Sequence, residues 1–258
     1  MAKESLIEGI RSSLHIDATA SGLTHTAGIV GDLQDNSLVT LCTFDGTITV
    51  GPDNHDCFGG IAGYTNTGTI TNCANYGTIT FSNENGYVGG MFGYVNNANF
   101  GGFRNCLAVG TVKREGGESK VAGALCGWLR TYNAETIANN YWLAGCAERA
   151  AGMADLEANK SATAEELASG AICYALNQGQ EADVWFQTLG EDPYPVLEAT
   201  HGKVVLKDGK YTNDGNGINE VQGSEAMVHN AVYDLSGRRV ERMQKGVYLV
   251  NGKKVIIK

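Results

Sequence analysis

The chain reads as a mainly β protein. It is predicted to be a β-solenoid (β-helix-like) repeat array with a small helix-containing C-terminal cap and a short β tail. Three observations carry that prediction. Glycine is abundant and proline scarce, with 35 Gly and 3 Pro in 258 residues. A glycine motif recurs at nearly constant spacing, and a second motif with a cysteine at a fixed offset lies between its copies. Hydrophobic residues make up 43% of the chain, enough for a packed core, and the glycines follow no G-X-Y period, so disorder and collagen are both excluded.

The glycine motif is Gly-Gly-Ile-Ala-Gly-Tyr at 59–64 and Gly-Gly-Met-Phe-Gly-Tyr at 89–94, with looser copies at 27–31 and 123–128. Its closing glycines, Gly31, Gly63, Gly93 and Gly127, are 32, 30 and 34 residues apart. The second motif is LCTFDGTITV at 41–50, TNCANYGTIT at 71–80 and RNCLAVGTVK at 104–113, which places Cys42, Cys73 and Cys106 in one column. A period of this length with Thr/Ile/Val alternation, as in Thr47–Val50 and Thr78–Phe81, predicts short strands turned at Gly and Asn corners. One copy cannot bury its apolar side alone, but stacked copies form a continuous core. A globular sandwich with incidental self-similarity is the competing reading.

The same template fits Ser5–Ile16 and places Ile10 in the cysteine column, so the sequence enters mid-coil. That predicts a fragment, an excised piece or a product with a misplaced start, with further coils upstream in the parent. A last copy is read at 140–145 with Tyr141 in the column, and the array is expected to occupy 1–149. In 150–200, Thr163 and Glu166 form a capping-box pattern, and Leu167, Ala171, Ile172, Ala175 and Leu176 have helical spacing. This helix and the aromatic segment around Trp185 and Pro193-Tyr194-Pro195 are predicted to cover the solenoid's end. A linker is expected over 201–222, and a short β module over 223–258 with strands at 231–235, 247–250 and 254–257.

At these residues the chain resembles known families. GGIAGY and GGMFGY with N-C-x-x-x-G-T-I are similar to GLUG-motif repeats of large secreted and surface proteins of Gram-negative bacteria. The ending YDLSGRRVERMQKGVYLVNGKKVIIK resembles the C-terminal sorting domain of type IX secretion. The resemblance implies an exported, extracellular or cell-surface, adhesin-like protein whose tail engages the secretion machinery. The sorting-like region is shorter than the family's pattern. The signal peptide that such export requires is missing from this chain, in keeping with the fragment reading.

The net charge of −9 argues against nucleic-acid binding. It divides unevenly, with +5 over 231–258 and −14 over the rest, which supports a separate C-terminal module. No apolar run approaches the ~18 residues of a membrane span. The seven cysteines lack any C-x-x-C pair, so metal is not expected. Buried free thiols are, although adjacent coils about 4.8 Å apart leave a disulfide open. The histidines are scattered, no G-x-S-x-G elbow occurs, and Asp32, Asp35, Asp45, Asp53 and Asp56 read as solvated turn residues.

One feature points to a ligand. Tyr64, Tyr94 and Trp128 each follow a closing glycine, so stacking aligns them on one surface that could hold sugar faces or a protein partner. Stacked rings that only stabilise the sheet are the plainer reading. The function predicted is a non-enzymatic adhesin-like binding or display scaffold for host or bacterial glycans or surface proteins, with no cofactor. The alternatives are a carbohydrate-active enzyme on a β-helical body and a purely structural spacer.

Overall fold

A computed structural model describes residues 1–20, 22, 25–153 and 157–214, together with the backbone of the strands within 232–257. The chain divides into two units, Met1–Asn216 and Gly217–Lys258. The first is a parallel β-solenoid of about four turns. Each coil contributes one short strand to each of five ladders. Thr69–Thr71, Ala74–Asn75, Thr78–Phe81, Tyr87–Gly89 and Phe92–Asn96 form one such circuit. These strands pair in parallel register with the coils before and after them, apart from a shift between Val95 and Asn96 where Phe92–Asn96 meets Cys126–Thr131.

Alternation along the strands fills the interior. In Thr47–Val50 the threonines are exposed while Ile48 and Val50 are buried, and Ile79 and Phe81 repeat the pattern one coil later. Inward apolar residues thus stack from coil to coil, with Ile48 on Ile79 and Ile70 between Val39 and Phe103, while Thr65 is a buried polar member between Leu33 and Val95. Fully burying each aliphatic side chain contributes about 1.5–3 kcal/mol. The corner before the cysteine column needs left-handed backbone in every coil. Gly9, Leu41, Asn72, Asn105 and Asn139 occupy it with φ between 51° and 68°, a region in which Asn is favoured among residues with a side chain.

The cysteine column holds for Ile10, Cys42, Cys73 and Cys106, whose successors Arg11, Thr43, Ala74 and Leu107 pair in register. Ile10 lies on the first coil and is 43% exposed, whereas the three cysteines are fully buried. Tyr141 does not belong to the column. It pairs with Leu107, and Asn140 occupies the inward position instead. The amide side chain of Asn140 accepts from the Cys106 N–H at 3.1 Å and donates to the Phe103 carbonyl at 3.0 Å. One residue of slip turns every side chain to the other face, so Tyr141 points outward.

Parallel stacking also runs past residue 149. The Gly152 N–H donates to the Cys126 carbonyl, and Asn159–Ala162 pairs in parallel with Asn140–Leu143. A single Gly152 after Ala151 replaces the paired glycines, so this half-coil lacks the motif of the earlier ones.

The segment after the array lies along the solenoid's flank rather than across its end. Two helices, α1 (Ala164–Ala168) and α2 (Ala171–Asn177), replace the one expected, because Gly170 adopts φ 87° between them. The capping box forms, with Thr163 Oγ1 accepting from the Glu166 N–H and the Glu166 carboxylate accepting from the Thr163 N–H. Leu167, Ile172, Cys173, Leu176 and Trp185 pack on Ala74, Leu107 and Tyr141, the outward column of one ladder. Polar contacts continue along the flank: Tyr76 Oη to the Pro195 carbonyl, Asn72 to Gln180, Asn139 to the Ala175 carbonyl, and an Arg11–Glu198 ion pair.

The expected linker begins later than 201. Val204–Lys207 and Lys210–Asn213 form an antiparallel hairpin around Asp208-Gly209, both at positive φ as a two-residue I′-type turn requires. Its Val204 and Tyr211 join the flank core. The remainder of the linker lies outside the described residues. The second unit is a four-stranded antiparallel sheet of Val232–Asp234, Arg239–Val240, Gly246–Val250 and Lys253–Ile257. Val250 pairs with Lys253, as the Asn251-Gly252 signal predicts, and Arg239–Val240 is a strand not foreseen.

Candidate ligand-binding face

The closing glycines shape a surface that carries a column of half-buried aromatic side chains. A Cβ on Gly93 would lie 2.6 Å from the Gly63 carbonyl, 2.6 Å from Phe58 N and 2.8 Å from the Tyr87 carbonyl. Gly63 and Gly127 are equally confined by backbone, at 2.6 Å and 2.4 Å from the preceding coil's glycine carbonyl. Absence of a Cβ lets two ladders of the same coil approach closely. As a result, their outward side chains merge into one patch.

The first of these ladders presents Asp32, Tyr64, Tyr94 and Trp128 in register. The three predicted aromatic residues therefore do form a column, with ring centroids 5.8 Å apart for Tyr64–Tyr94 and 5.6 Å for Tyr94–Trp128. The second ladder adds His25, Cys57 and Tyr87, one per coil. Tyr87 stacks on Tyr94 at 4.6 Å, and His25 stacks on Tyr64 at 4.8 Å with an interplanar angle of 13°. Arg130 sits over the Trp128 ring at 5.8 Å. The rings are half-buried: each packs on its neighbour and leaves the rest to solvent. Burial first, and then the neighbouring Tyr94 phenol, raises the Tyr64 and Tyr87 hydroxyls above their ordinary range, so both remain proton donors.

One end of the patch is acidic. His25 Nδ1 lies 3.4 Å from Asp32 Oδ2, and its Nε2 lies 3.5 Å from Asp56 Oδ1. Asp32 is not the solvated turn residue expected. It sits buried in the strand Val30–Gln34, with its carboxylate accepting from Gln34 Nε2 at 2.8 and 2.9 Å. Asp35, Asp45 and Asp53 are exposed, as the turn reading holds, and Asp35 pairs with Lys3.

Tyr87, His25, Asp32, Asp56 and Cys57 were not singled out as ligand-face residues by the sequence motifs. Their signal was available: His25, Cys57 and Tyr87 each stand three residues before the second residue of the glycine pair, at Gly28, Gly60 and Gly90. All seven cysteines are free and buried. Cys42, Cys73 and Cys106 each donate their S–H to the carbonyl two residues earlier, at 3.1 to 3.2 Å.

The fold and face define a parallel β-solenoid with an aromatic patch ending in a histidine–carboxylate group. Comparison of the chain with protein-family models, with curated proteins and with solved structures returns no match. Among the described residues no helix is long and apolar enough to cross a membrane.

Proposed function

We propose that the protein is a non-enzymatic, exported, adhesin-like scaffold that holds a glycan or a protein surface against Tyr64, Tyr94 and Trp128. The observation that carries this reading is the in-register column of half-exposed rings, extended by Tyr87 and flanked by Arg130. Flat apolar rings bearing polar tips suit the faces of sugar rings and the hot spots of protein partners alike. The GLUG-like repeats and the sorting-like tail support export to the cell surface, with the tail acting as an address. The solenoid contributes rigidity, since its rings stand on strands rather than on loops.

The test is a glycan array read together with release of reducing sugar ends. Saturable binding without turnover is expected, with affinity falling tenfold or more in Tyr94→Ala and Trp128→Ala. Catalytic release of sugar ends would overturn the non-enzymatic reading in favour of a carbohydrate-active enzyme, for which Asp32 and Asp56 beside His25 would be the carboxylates to examine. Absence of both binding and turnover would leave the spacer reading.

A further inference from the structure

We infer that His25, Asp56 and Cys57 form a binding site for a divalent transition-metal ion of the zinc class. One ligand atom from each residue lies within 4.8 Å of the other two. The closer pairs are His25 Nε2 to Asp56 Oδ1 at 3.5 Å and Cys57 Sγ to the same oxygen at 3.2 Å. Around a tetrahedral zinc with bonds of about 2.0–2.3 Å, neighbouring ligand atoms stand about 3.3–3.7 Å apart. The three donors thus already approach the spacing that an ion would impose. This is the one such grouping among the described residues.

Three further features distinguish the site from a chance cluster. Cys57 is 2% exposed, yet it belongs to neither hydrophobic cluster. Strand alternation sends its neighbour Phe58 into the core and Cys57 to the patch side. His25 is held in position on its other nitrogen by Asp32, which is itself fixed by Gln34. A carboxylate on the far nitrogen of a ligating imidazole is the usual outer support of such sites. The Tyr64 ring stacks on the imidazole and fixes its plane. Imidazole, thiolate and carboxylate together select zinc-like ions over Mg²⁺ or Ca²⁺, which take oxygen donors. Three protein ligands leave a fourth position for water or for an oxygen of whatever occupies the aromatic patch. A thiol this buried is otherwise poorly suited to act as a nucleophile.

The experiment uses the full chain, stripped with a chelator and titrated with Co²⁺ and then Zn²⁺. One Co²⁺ per chain is expected, with thiolate-to-cobalt charge-transfer absorption that stoichiometric Zn²⁺ abolishes. Cys57→Ser should remove the band, and His25→Ala should weaken Co²⁺ binding tenfold or more. His15→Ala, an exposed histidine on another ladder, should change neither. Far-ultraviolet circular dichroism checks that each variant is folded. Should Cys57→Ser fail to fold, Asp56→Asn at its half-buried position carries the same tenfold expectation. The inference is overturned if the unmodified chain shows no charge-transfer band, if the band persists in folded Cys57→Ser, or if folded Asp56→Asn binds Co²⁺ unchanged.

Discussion

Replacing Gly93 by Ala separates the two effects a glycine can have. Its φ lies outside the left-handed region, so alanine is conformationally allowed there. On backbone grounds alone the substitution should stabilise by about 0.4–1 kcal/mol, because the unfolded chain loses freedom. Sterics oppose this. The added Cβ meets three backbone atoms at 2.6, 2.6 and 2.8 Å, none of which can rotate away. Relief requires two ladders and two coils to part by about half an ångström or more. Overpacking of this kind costs about 1–3 kcal/mol, and strain on backbone places Gly93→Ala at the upper end, near 3 kcal/mol. For a folding unit of this size each kcal/mol lowers Tm by about 2–4 °C, so a fall of about 6–12 °C is expected by differential scanning calorimetry. An unchanged or raised Tm would refute the argument that glycine permits the two ladders to approach.

Three further outcomes are expected. Leu41→Asn should raise stability by about 1 kcal/mol in urea titration, because Leu41 holds φ 55° in a column otherwise occupied by Gly and Asn; a loss would show that its packing outweighs the strain. Burial pushes the Cys106, Cys146 and Cys173 thiols up to about 12. Since unfolded thiols titrate near ~8.5, their contribution is complete below that pH and is lost as pH rises towards 12, by up to about 1.4 kcal/mol per thiol per pH unit. Urea midpoints should therefore fall steadily above pH 9, and a flat profile to pH 11 would contradict the burial. A disulfide-exchange reagent should react slowly with the native chain and titrate seven thiols in denaturant; fewer than six would indicate a bridge.

The repeat was legible because each coil imposes the same backbone demands. Gly63 and Gly93 are dictated by contact with the neighbouring coil, and Ile48 and Ile79 by alternation, so periodicity alone located the ladders. The position of Tyr141 is not legible in the sequence, because Asn139 and Asn140 both resemble the corner residue and the backbone and hydrogen bonding assign the corner to Asn139. The course of 150–200 was not legible. The helical pattern shows an apolar side, but not that the outward column Ala74, Leu107 and Tyr141 waits on the flank. The candidate metal ligands escaped for a geometric reason. Searches for ligand pairs look a few residues apart in sequence, whereas a solenoid brings His25 beside Cys57, 32 positions away, at the distance of adjacent strands.

The flank segment has a consequence for how the array comes apart. Repeat arrays are usually quasi-one-dimensional: each coil feels only its neighbours, and the ends can fray one unit at a time. Here one continuous stretch grips the first coil through Arg11–Glu198, a middle coil through Tyr76–Pro195, and the last coils through Asn139 and Tyr141. Peeling off a terminal coil therefore also strips part of the brace that the middle coils share. Such long-range bookkeeping converts local melting into a single concerted transition, so the brace gives a linear stack the cooperativity of a globular domain.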